Sequence, residues 1–96
     1  MKPPKPKDYP KLITVGKSIY HVVLMDKLKE GDLGGCDDGN KVILLSRAQN
    51  DSELFASFFH ELLHAIEKEY RLPIGHARIR RMEYDLASIL KLFLKN

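Results

Sequence analysis

Residues 54–66 constrain this chain more than any other stretch. Nine of the thirteen side chains are apolar, and the four polar ones are Ser57, His60, Glu61 and His64. Offsets of 3, 4 and 7 from Ser57 place all four on one narrow stripe of a helix. A surface helix shows a broad polar face, whereas this one shows a thin polar seam on an apolar cylinder. The fold must therefore pack other elements around most of the helix. It must also give partners to two imidazoles and a carboxylate in the seam, because such groups are costly to desolvate alone. Asn50 is a good N-cap, and Glu53 three residues later completes a capping box in its Asn variant. The apolar spacing continues to about Tyr70, and Pro73 and Gly75 end the helix.

The remainder divides by hydrophobic period. Leu12–Val15 and residues 19–25 are short, rich in β-branched side chains and split by Gly16 and Lys17, which predicts a hairpin or two short strands. Gly31, Gly34, Gly35 and Gly39, with Asp32, Asp37, Asp38 and Asn40, mark turns around a possible strand at Cys36. The run KVILL at 41–45 reads as a buried strand. A second helix is expected over about 77–94, with Ile79, Met82, Leu86, Ile89, Leu90 and Phe93 as its apolar stripe. Strands followed by helices predict an α+β fold: a small antiparallel sheet of about three strands, then two main helices, with the histidine-bearing segment on the first.

Composition sets the class. The 96 residues suit one domain. No run of 18 apolar residues exists, so no membrane span is expected. The N-terminus lacks an apolar signal region, and the single cysteine, Cys36, has no internal disulfide partner. These features together predict a cytoplasmic protein. The net charge is +3, and residues 1–11 hold four lysines against Asp8 alone. The excess charge thus lies in a Pro/Lys-rich leader, expected to be a flexible tail on a single domain over 12–96. Because the rest is neutral, nucleic acid is not the expected partner. Arg78, Arg80 and Arg81, at the start of the second helix, oppose its dipole and read as a solvated face.

His60-Glu61-Leu62-Leu63-His64 is an HExxH sequence. Positions i and i+4 of a helix lie one above the other, so both imidazoles can ligate one metal. The glutamate after the first histidine then stands near a metal-bound water rather than the metal, where it can accept a proton. A hydrolytic zinc site needs a third protein ligand and an open position. Tyr70 stands where the metzincin pattern has its third histidine, and Glu67 where it has glycine, which disfavours that class. Glu83, Asp85 and His76 remain as candidates. Glu83, spaced four from Ile79 and three from Leu86, borders the apolar stripe and is the favoured one.

The stretch FFHELLHAIEKEYRL, followed after a short loop by EYDLA, resembles the minimal HExxH metallopeptidases of phages and bacteria. These are gluzincin-type proteins similar in pattern to the SprT-like and ImmA/IrrE groups. The resemblance covers residues 31–94. It implies that His60 and His64 bind one zinc ion per chain, that Glu61 is the general base, and that Glu83 is the third ligand. It also implies a sheet whose edge strand holds an extended peptide or protein substrate. Tyr70, His76 and Tyr84 lie near enough in sequence to be contacts for the oxyanion or substrate. The expected activity is zinc-dependent hydrolysis of a peptide bond. The alternative is a non-catalytic interaction protein in which zinc staples a small core.

Overall fold

The structure is a computed structural model and describes residues 2–26, 28, 32–37 and 39–91. Four strands come first: β1 (Leu12–Val15), β2 (Ser18–Met25), β3 (Gly34–Asp37) and β4 (Val42–Ser46). Two helices follow, α1 (Asp51–Glu69) and α2 (His76–Lys91). The expected α+β architecture is present. The helix end expected at Phe93 and Leu94, and the turn residues Gly31 and Asp38, lie outside the described residues.

The sheet has four strands in the order β1-β2-β4-β3 and is mixed rather than wholly antiparallel. β1 and β2 form the expected hairpin, with Gly16 at φ +62° in its turn, where a side chain would be strained. The chain then runs out to the edge as β3 and turns back. Asp37 accepts hydrogen bonds from the backbone N–H and the side-chain amide of Asn40 in that turn. β4 therefore enters between β3 and β2, antiparallel to the first and parallel to the second. Alternation of side chains specifies which face of a strand is buried but not which neighbour it takes.

One face of the sheet is covered by α1. Tyr20, Ile43 and Leu45 are fully buried there, and Leu54, Phe55, Phe58, Phe59 and Ala65 meet them from the helix. The capping box forms as expected: Asn50 Oδ1 accepts from Glu53 N–H at 2.8 Å, and Glu53 Oε1 accepts from Asn50 N–H at 2.9 Å. The leader is joined to this core. Pro6–Asp8 form a 3-10 turn, Lys5 pairs with Asp51 at 2.8 Å, and the Tyr9 ring packs edge-on to Phe58 with centroids 5.3 Å apart. The domain boundary expected at Leu12 is thus crossed by Tyr9, which is buried.

Helix α2 buries Ile79, Glu83 and Ala87, one per turn. The carboxylate lies in the middle of the buried stripe, not at its border, because Glu83 faces α1 and finds a partner there. Ile89 and Leu90, expected in the stripe, are exposed. No helix among the described residues is long and apolar enough to cross a membrane.

Candidate metal centre

The polar seam of α1 faces the gap between α1, α2 and the edge strand β3. His60, His64 and His76 meet there, with potential ligand atoms all within 4.8 Å of one another. Three histidines thus lie close enough to bind one metal ion. His76 is the first residue of α2, and its position has a local cause. Gly75 has φ +89°, a conformation that favours glycine, and its N–H donates to Glu67 Oε2 at 2.7 Å. The other oxygen of Glu67 faces His64 Nδ1 at 3.2 Å. One carboxylate on α1 therefore holds both His64 and the turn that delivers His76.

The proton positions follow from the partners. The hydrogen bond from Gly75 N–H, with smaller help from His64, holds the Glu67 carboxyl below the usual range, so it accepts. His64 Nδ1 must then donate, which leaves the lone pair of Nε2 free. His60 repeats the arrangement, with Nδ1 3.0 Å from Glu83 Oε1. Both histidines of the HExxH sequence thus turn Nε2 toward ligand duty, and each is backed by a carboxylate. His64 Nε2 and His76 Nδ1 are 3.3 Å apart. Two nitrogens bound tetrahedrally to zinc at its usual bond length stand about 3.3–3.4 Å apart. One pair of the group thus has the spacing of two ligands on one ion, and three imidazoles supply the donor chemistry of a divalent metal site.

Glu61 is buried between two cavities. One, of about 360 Å³, is lined by Gly34, His60, Glu61, His76, Arg80, Tyr84 and their neighbours. The other, of about 270 Å³, is lined by Cys36, Glu61, His64 and Lys68. Burial, and then the nearby charges of Glu83 and Asp32, push the Glu61 carboxyl up to about 7. The strand β3 presses on it from the side: a Cβ on Gly34 would lie 2.9 Å from Glu61 Oε2. Gln49 fixes this contact by donating to the carbonyls of Leu33 and Ser46, which tie the entry of β3 to the end of β4.

The expected site residues are distributed as follows. His60, Glu61 and His64 converge. Glu83 joins them through the outer nitrogen of His60 and is not a member of the close three-residue group. His76, weighed both as a third ligand behind Glu83 and as a substrate contact, is a member. Tyr84 lines the larger cavity. Tyr70 is exposed at the C-terminal end of α1 and stands over Gly16, on the β1–β2 turn. Glu67, Gly34 and Arg80 were not anticipated as site residues. Glu67 could have been found from its place three residues after His64, on the same helix face. Gly34 and Arg80 acquire their positions only through strand and helix packing. Comparison with models of known families, with curated proteins and with solved structures gives no match for this chain.

Proposed function

We propose that the protein is a zinc-dependent peptidase, with His60, His64 and His76 holding the metal and Glu61 acting as general base. The observation that carries this reading is the pairing of a three-imidazole cluster with a buried carboxylate, Glu61, that lines the same cavity as His60 and His76. Bound zinc supplies Lewis acidity toward a carbonyl oxygen and makes a water molecule easier to deprotonate. The residues of the chain supply the rest. Glu61 takes the proton of the attacking water at a carboxylate oxygen and returns it to the departing amine. Glu83 and Glu67 hold the tautomers and ring orientations of His60 and His64.

Glu83 is the ligand that the family resemblance implied. In this arrangement it serves instead as the hydrogen-bond partner of His60, and His76 takes the third place. The edge position of β3 supports a peptide substrate: its outer side carries backbone groups to which an extended chain adds as a further strand, alongside Glu61.

The test joins metal content with turnover. Purified protein is expected to hold one zinc per chain and to cleave a peptide library, with cut sites read by mass spectrometry. Glu61→Gln is expected to keep the zinc and lose cleavage. Cleavage by a zinc-replete Glu61→Gln protein would refute the assignment of the base. A wild-type protein that holds zinc and cleaves nothing would favour the zinc-stapled interaction protein.

A further inference from the structure

The larger cavity contains one cationic side chain, Arg80, among its lining residues. It lies one turn after His76 on α2, with Nη2 3.3 Å from His76 Nε2. Among the described residues it has no carboxylate partner, although Glu83 stands three residues on and also lines the cavity. A guanidinium carries five N–H donors in a planar fork, and this one has a single weak contact to an imidazole. Tyr84, four residues after Arg80, brings a phenol to the same wall.

We infer that Arg80 binds the C-terminal carboxylate of a peptide substrate, so that the enzyme removes residues from free C-termini. This rests on the peptidase reading above. Arg80 touches the far nitrogen of the same imidazole whose near nitrogen faces His64. One imidazole ring plus one hydrogen bond therefore separates the guanidinium from the nitrogen of His76 that would hold a metal. That is the reach of one to two residues of extended chain, at about 3.3–3.6 Å each. A free C-terminus one or two residues beyond the scissile carbonyl places its carboxylate at that distance.

The chemistry of His76 adds a coupling. Arginine only donates, so His76 Nε2 accepts and the imidazole proton sits on Nδ1. Were a metal held at Nδ1, the neutral ring would carry its hydrogen on Nε2, and the guanidinium would turn its fork from His76 toward the cavity from the same place on α2.

The experiment uses zinc-loaded Glu61→Gln protein, which binds peptide without turning it over. Zinc stoichiometry is measured first; a protein that takes up no zinc overturns the peptidase reading, and this proposal with it, before any peptide is added. Calorimetry then compares N-acetyl-Gly-Phe with its C-terminal amide. The acid is expected to bind about tenfold or more tightly than the amide. Adding Arg80→Gln should reduce that preference to about twofold or less with zinc content unchanged, and Arg80→Lys should restore part of it. Equal binding of acid and amide, no binding of either, or a preference that survives Arg80→Gln would each overturn the proposal. N-acetyl-Gly-Asp-amide distinguishes the source of the carboxylate. Tight, Arg80-dependent binding of that amide would overturn the C-terminal assignment and make Arg80 a pocket for acidic side chains.

Discussion

Oε1 of Glu83 and Nδ1 of His60 lie 3.0 Å apart across the contact between the two helices. Among the described residues the carboxylate is one of the few buried charged groups, and its partner is a histidine of the HExxH sequence. The pair decides which nitrogen of His60 is left for a metal, and it fixes α2 in rotation against α1.

The roles of His76 and Glu83 separate by metal affinity. Zinc at one hundred times its dissociation constant is expected to raise stability by about 2.7 kcal/mol, a rise in Tm of about 10 °C or more for a domain of this size. His76→Ala should abolish the rise together with stoichiometric zinc. Glu83→Gln should weaken zinc by about 10–100-fold and leave a site that saturates at higher metal. Equal loss of zinc in Glu83→Gln and His60→Ala would make Glu83 a direct ligand.

Glu61 sets a pH dependence on the metal-free protein. Its folded carboxyl is raised from 4.5 to about 7, so the folded state holds the proton more tightly than the unfolded chain. Stability from this group is present below about 4.5 and is lost as the pH climbs through about 7. With metal removed, Glu61→Gln is expected to melt several degrees above wild type at pH 8 and together with it at pH 4.5. A gap that is equal at both pH values would rule out titration of Glu61 as its cause.

Gly34→Ala places a methyl group 2.9 Å from Glu61 Oε2. The group that yields is the end of a flexible side chain, so the stability cost should stay below about 2 kcal/mol. Peptide cleavage is expected to fall about 100-fold, because Glu61 is displaced by a fraction of an ångström or more. Zinc content should not change. Retention of full activity would show that the approach of β3 does not position the base.

Glu69 locks the far end of α1 to the sheet. Its carboxylate accepts from Ser18, Tyr20 and Lys41, each at 2.7 Å, and these bonds hold its carboxyl down to about 2. A depressed carboxyl gives stability that is present above about 4.5 and lost as the pH falls through about 2. Urea melts of wild type and Glu69→Gln should differ most near pH 7 and converge toward pH 2. A difference that does not shrink with acid would point to packing rather than charge.

Helix α1 was legible down to its cap because every signal for it is local: Asn50, Glu53 and the spacing of the seam act within a few residues of one another. The hairpin at Gly16 was legible for the same reason. The insertion of β4 beside β2 was not, since strand order is settled by contacts distant in sequence. Glu83 was picked out as an acid at the border of an apolar stripe, and it is buried in the middle of that stripe. The nitrogen it touches could not be read from spacing, because helix rotation and crossing decide it.

The sequence by itself determined that His60, Glu61 and His64 share one helix face, since the rise and twist of an α-helix are fixed by backbone hydrogen bonding. It also determined that they would face a packed surface, since the flanking positions are apolar. Tertiary structure decided what completes the constellation. The turn at Gly75 carries His76 back over the seam, the packing of α2 sets Glu83 behind His60, and β3 presses Gly34 onto Glu61. Those placements depend on how three elements dock, and docking is set by the summed shape of the core rather than by any short run of residues.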